Sequence, residues 1–174
     1  LRREAETKFP SAGRMYFTRQ ALEQASSHIV SNHRVQRFRG FERVFDLGCS
    51  IGSDTLAIAA QTSVLGVDID PLRLVIAEEN AQALGCKGQA EFLQADISAP
   101  LPFCRGQNRA IFFDPGRRSQ GRRLHSVTSY QPPLNIIDSW LDQMPAVGIK
   151  ISPGVDLQEV KSYDTEIEFI SVRG

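Results

Sequence analysis

The sequence predicts an α/β domain: a doubly wound, mainly parallel sheet with helices on both faces. Three observations predict it. Short β-rich apolar runs recur along the chain, helical segments separate them, and three of the runs end in an aspartate. Strands that alternate with helices form βαβ units, and in such sheets ligands lie at the carboxyl ends of the strands.

Taken in order, the charged stretch from Leu1 to about Pro10 is expected to be helical or frayed. Thr18 suits an N-cap, and Ala21, Leu22, Ala25, His28, Ile29 and Val35 then keep helical spacing to about Phe38, where Gly40 ends the helix. The strands are expected at Val44–Leu47, Val64–Val67, Ala90–Leu93, Ala110–Phe113 and Val147–Ile151. Helices are expected at about Thr55–Ala60, Pro71–Leu84 and Leu134–Gln143, with Asp70 and Pro71 as an N-cap and N1 pair. Glu166–Val172 alternates as a one-faced edge strand does. The reading divides the chain into a helical lead-in, residues 1–40, and a Rossmann-like domain, residues 41–174.

Composition narrows the class. The chain has 174 residues, 41% hydrophobic and 23% charged, enough for one globular core. No apolar run approaches the roughly 20 residues that span a bilayer, so no membrane association is expected. A chain opening on Leu1 is expected to be a piece of something longer. Cys49, Cys86 and Cys104 lack CxxC pairing or a histidine at ligand spacing, so reduced thiols, no metal and a cytoplasmic setting are expected. Twenty basic and twenty acidic residues cancel, yet residues 103–125 hold six arginines against one aspartate. Screening acts over about 8 Å, so a partner meets that local patch and not the net charge.

The strand ends carry the chemistry. The first reads Asp46-Leu47-Gly48-Cys49-Ser50-Ile51-Gly52, a turn in which Gly48 and Gly52 permit close backbone approach. The second ends at Asp68 and Ile69, where an acid suits ribose hydroxyls, and the third at Asp96 and Ile97, within reach of an adenine. A dinucleotide fold shares the second acid, but its G-x-G-x-x-G fingerprint is absent, and Asp46 before the turn would repel a pyrophosphate. Facing an ammonium and a sulfonium, the same carboxylate is favourable. The expected cofactor is therefore cationic near the turn, which describes S-adenosyl-L-methionine. Glycines at a βα turn also serve geometry alone in many folds.

Strand four ends Asp114-Pro115-Gly116-Arg117-Arg118, followed by Gly121-Arg122-Arg123. Asp114 is expected to orient a methyl acceptor or take its proton late, and Arg117 and Arg118 to hold an anionic substrate such as phosphate. No Pro-Cys pair sits here, which argues against a thiol-adduct route to 5-methylcytosine.

Asp46–Gly52, Gly66–Asp68 and Gln94–Ile97 resemble, in this order, the first three motifs of class I S-adenosylmethionine-dependent methyltransferases, across about residues 41–115. The resemblance implies Asp46 and the Gly48 backbone at the methionine moiety, Asp68 on the ribose, Asp96 with Ile97 at the adenine, and Asp114 in the fourth motif beside the methyl. Ser50 stands where the turn's usual middle glycine would be; its Cβ would crowd the cofactor or its hydroxyl would bind it. Lys8-Phe9, Arg14–Thr18, Asp114–Arg118 and Ser152–Asp156 look like bacterial methyltransferases with a C-terminal THUMP-like domain. A more distant similarity to trimethylguanosine synthase-like RNA methyltransferases implies a lead-in folded over the cofactor, with Phe17 and Thr18 in contact. This fold ordinarily closes with a β-hairpin, so a C-terminal strand is expected to be missing. The leading expectation is RNA methylation at a base nitrogen through the arginine-rich loop 117–123. The alternatives are a small-molecule or protein methyltransferase, or a cofactor-binding module inactive in this form.

Overall fold

A computed structural model describes residues 1–101, 108–116, 118–119, 122–124 and 126–172. The lead-in supplies α1 (Arg2–Ala5), a 3₁₀ turn (Ala12–Arg14), α2 (Arg19–Gln24) and α3 (His28–Val35), the last running into a 3₁₀ turn at Gln36–Phe38. Then follow β1 (Arg43–Leu47), α4 (Ser53–Ala59), β2 (Ser63–Asp68), α5 (Pro71–Leu84), β3 (Ala90–Gln94) and β4 (Arg109–Phe113). A two-residue hairpin, β5 (Arg118–Ser119) with β6 (Arg122–Arg123), precedes 3₁₀ turns at Val127–Ser129 and Leu134–Ile137, α6 (Asp138–Leu141), β7 (Val147–Ile149) and a last turn at Leu157–Val160.

The main sheet runs β3-β2-β1-β4-β7, with every pairing parallel. The order reverses between β1 and β4, which opens the crevice where such sheets bind ligands. Alternation along the strands feeds two cores. Val44, Ala110 and Phe112 face the lead-in residues Ala5, Phe9, Met15, Leu22 and Phe38, whereas Phe45, Leu47, Ile111 and Phe113 face Val127, Tyr130, Leu134, Ile137 and Trp140. The lead-in thus shares one hydrophobic core with the sheet.

Caps written in the sequence form as expected. Thr18 Oγ1 accepts from Ala21 N at 3.1 Å, and Asp70 Oδ1 accepts from Leu72 N and Arg73 N at 2.9 and 3.3 Å. Gly85, at φ +77°, closes α5.

Three expectations change. The helix expected from Thr18 to Phe38 breaks at Ala25–Ser27, because Lys8 Nζ donates to the carbonyls of Leu22, Glu23 and Ala25 at 2.7, 3.1 and 3.0 Å. His28 N in turn donates to Lys8 O at 2.8 Å, so a distant residue and not a local breaker ends α2. The segment Leu134–Gln143 is a 3₁₀ turn followed by one short helix. Glu166–Val172 forms no strand and runs extended against α3. Its acids meet bases there: Arg37 donates to Glu166 at 2.7 and 3.1 Å, and His33 Nε2 lies 2.7 Å from Glu168. Phe169 is left 69% exposed.

Candidate functional site

A cavity of about 800 Å³ lies over the carboxyl ends of β1 to β4. That volume lies within the range that holds a drug-sized ligand. Gly48 and Ser50, Asp68 and Ile69, Asp96 and Ile97, and Asp114 all line it. Seven of the expected site residues therefore meet in one place.

The turn after β1 explains the two glycines. Gly48 has φ +85°, and a Cβ there would stand 2.7 Å from the Asp114 carbonyl oxygen, too close for any side chain. Gly48 N and Cys49 N donate to Val67 O at 2.8 and 3.0 Å, locking the turn to β2. Gly52, at φ +84°, starts α4 and would press a Cβ to 3.3 Å of Ala77, so it serves packing and does not line the cavity. Ser50 adopts φ +52°, the left-handed region that glycine ordinarily fills. Its N–H donates to Asp68 Oδ2 at 2.9 Å, which holds it there. Its hydroxyl is buried and has no partner among the described residues.

Asp68 is 6% exposed, and its other oxygen accepts from Asp70 N at 3.0 Å. Each carboxylate oxygen keeps a further lone pair for a ligand hydroxyl. Asp96 is exposed and accepts from Ser98 N at 2.8 Å. Between these acids Ile69 lies 63% exposed, an apolar surface inside a cavity.

Asp46 lies elsewhere. It is 1% exposed, accepts from the Thr55 hydroxyl through Oδ2, and leaves Oδ1 without a hydrogen bond among the described residues. Burial, helped by nearby Asp54, pushes its carboxyl up to about 8. It does not line the cavity, so the contact with a cationic ligand expected of it is not what this placement supports. Asp54 is itself buried, accepting from Arg34 and, at 2.8 Å, from Ser31. Burial also drives the Cys49 thiol upward, which makes it a small core residue.

On the acceptor side Asp114 pairs with Lys150 Nζ at 2.5 Å, both largely buried. Lys150 follows β7 and donates its backbone N–H to Phe113 O at 2.9 Å, so the neighbouring strand sets its position. Opposite, Gly116 and Gln131 exchange backbone hydrogen bonds of 2.9 and 3.0 Å and bring Pro132, Pro133 and Asn135 to the wall. Arg117 lies outside the described residues, as do Gln120 and Gly121, and of Arg118 only the backbone, in β5, is described.

The lead-in reaches the cavity, but not through Phe17 and Thr18. Phe17 stacks on Phe9 with ring centres 5.6 Å apart, and Thr18 caps α2. Glu23 and Gln24, at the far end of that helix, line the wall instead. Sequence reasoning missed them, and missed Lys150. It also missed Asn80, fully buried in α5, which accepts from Tyr16 N at 2.7 Å and donates to Tyr16 O and Ile51 O at 3.1 Å. Only an asparagine on the otherwise apolar inner face of the helix signalled it.

Residues 44–115 match a family described as a methyltransferase domain. The whole chain is 37% identical, over 184 aligned positions, to an uncharacterised S-adenosylmethionine-dependent methyltransferase of Mycobacterium tuberculosis, and spans 49% of that relative's length. A ribosomal protein methyltransferase of Thermus thermophilus is 40% identical over 89 residues, 49% of this chain and 30% of that one. A 23S rRNA uracil-C(5) methyltransferase of Vibrio cholerae is 28% identical over 129 residues, 70% of this chain and 30% of that one. The fold is that of a crystal structure named as a methyltransferase from Porphyromonas gingivalis W83, with TM-score 0.72 and 21% identity over 93% of this chain and 41% of that one. Among the described residues no helix is long and apolar enough to cross a membrane.

Proposed function

We propose that this chain carries a class I, S-adenosylmethionine-dependent methyltransferase domain and methylates RNA in the cytoplasm, at a base nitrogen. One observation carries the assignment of the site: Asp68, Asp96 and Asp114, from three strand ends, line a single cavity. The residues there fit the cofactor. The buried Ser50 hydroxyl offers a hydrogen bond that no atom of the described residues takes up, and Ile69 offers an uncovered apolar face to a flat ring.

S-Adenosylmethionine, when bound, supplies a methyl group on a sulfonium. In this reading Asp68 takes the ribose hydroxyls, Asp96 the adenine amino group, and Ile69 with Ile97 its faces. Gly48 lends its backbone to the methionine half. Asp114, held by Lys150, orients the acceptor nitrogen and receives its proton as that nitrogen is methylated. Such a displacement asks little of acid–base chemistry, and positioning can supply about 7–11 kcal/mol of its barrier. Arg117 and Arg118, which follow Asp114 in the chain, are the proposed phosphate contacts. The Vibrio relative, named as an rRNA methyltransferase, supports RNA as the substrate class.

The tests are calorimetry with S-adenosylhomocysteine and transfer of labelled methyl to RNA by the full-length protein. Binding in the micromolar range and labelled RNA are expected; a folded protein that ignores millimolar ligand would refute the cofactor. Asp114→Ala should lower transfer at least about a hundredfold with ligand affinity kept. The Thermus relative, named as acting on a ribosomal protein, favours a second reading with a protein acceptor. Label in protein and none in RNA would select it.

A further inference from the structure

Resting on the cofactor reading above, we propose that Arg73, in the first turn of α5, holds the carboxylate of the cofactor's amino-acid half. The need for such a group is physical. That carboxylate is the cofactor's anionic group, and an anion taken from water into a cavity binds poorly without charge-assisted hydrogen bonds. The cavity walls include the acids Glu23, Asp68, Asp96 and Asp114, an unfavourable setting for a second negative charge. Arg73 is the one lysine or arginine that lines the cavity among the described residues.

The helix puts it there. Ala77 packs against Gly52, and Asn80 bonds to Ile51 and Tyr16, so this row of α5 lies on the glycine turn and the lead-in. Arg73 precedes Ala77 by four residues and Asn80 by seven, and therefore continues the row towards the cavity. Its side chain is only 25% exposed, whereas its neighbours Leu72 and Val75 stand more than half exposed. Burial of apolar surface alone would choose the reverse, an aliphatic residue inside and the arginine outside. A cation kept on the inner row, at the cavity rim, points to an anion that enters from the cavity.

Its position is built. Arg73 Nε lies 3.4 Å from Asp70 Oδ2, while Asp70 N donates to one oxygen of Asp68 at 3.0 Å and Ser50 N to the other at 2.9 Å. A single polar chain thus runs from the glycine turn through Asp68 and Asp70 to Arg73. The contact with Asp70 engages Nε; the two terminal amino groups are the part of a guanidinium that grips a carboxylate through a pair of hydrogen bonds. In this reading Asp68 takes the ribose, and the amino-acid half leaves that same ribose. An acceptor's phosphate belongs to the other side of the cavity, because β1 separates β2 from β4 and the arginines that follow Asp114. Asp70 is in this account a positioning residue and Arg73 the binding residue.

The experiment compares two probes by calorimetry on the full chain: S-adenosylhomocysteine and its decarboxylated form, which keeps the nucleoside and the ammonium and lacks only the carboxylate. The wild type should prefer S-adenosylhomocysteine about tenfold. Arg73→Gln should weaken S-adenosylhomocysteine about tenfold and leave the decarboxylated form within about twofold, so that the preference disappears. The decarboxylated probe also reports on the wall, since damage to the start of α5 would weaken both ligands together. The proposal falls if Arg73→Gln lowers both affinities alike, which would assign Arg73 to the ribose or to the fold, or if it lowers neither. It falls equally if the wild type does not distinguish the probes. Wild-type protein that binds neither probe refutes the cofactor reading itself, a different result from binding both without regard to Arg73.

Discussion

Asp46 shows what a single position can hide. A motif places it one residue from the glycine turn; the fold buries it against Thr55, Asp54, Arg34 and Cys49. The native protein holds a proton there that the unfolded chain releases from about pH 4 upward. Its contribution to stability is therefore fully present below the ordinary carboxyl value of 3.8 and is lost as pH rises through about 8. Urea unfolding across pH 5 to 8.5 should show the wild type losing stability relative to Asp46→Asn, with the gap widening towards alkaline pH. Gly48 is the opposite case, fully legible: both its positive φ and the Asp114 carbonyl exclude a side chain. Gly48→Ala should cost at least about 2 kcal/mol in chemical denaturation. Ser50 was legible as a departure, but its consequence was not, because the bond from its N–H to Asp68 comes from another strand. Ser50→Ala, which keeps the Cβ and removes the hydroxyl, should weaken S-adenosylhomocysteine by about two- to tenfold.

At the scale of elements, what can be read locally was read. Pro71–Leu84 has its start in Asp70-Pro71 and its stop in Gly85, and the helix has those bounds. Strand ends are legible to within a residue or two because strands covered on both faces read as short, nearly continuous apolar runs. Elements terminated by distant partners were not. The end of α2 is set by Lys8, and the docking of α5 by Asn80, whose three bonds tie it to Tyr16 in the lead-in and to Ile51 in the turn. Lys8→Met should speed amide exchange across residues 22–28, where its three bonds hold the end of α2. Asn80→Leu should destabilise by about 2–3 kcal/mol, since two backbone carbonyls and an N–H would be left buried without partners.

For the whole molecule, the doubly wound order followed from alternation of strands and helices, and so did the side of the sheet that carries the cavity. The last segment did not follow. Glu166–Val172 has the alternation of an edge strand, but its acids are drawn to His33 on α3 and to Arg37 in the 3₁₀ turn that follows it, and it pairs with no strand. Those ion pairs are exposed, and exposed pairs contribute little. A chain ending at Tyr163 should therefore unfold within about 3 °C of the wild type in calorimetric scans.

The cavity draws its walls from three stretches of chain: residues 23–24 in the lead-in, 48–116 around the sheet, and 131–136 beyond the arginine loop. The segment by which the family is recognised, 44–115, covers nearly all of the middle stretch and neither of the others. The two outer walls of the cavity are thereby written outside the part of the gene that carries the family's signature. The flanks can drift, or be exchanged with those of a relative, and reshape those walls while the central segment stays recognisable.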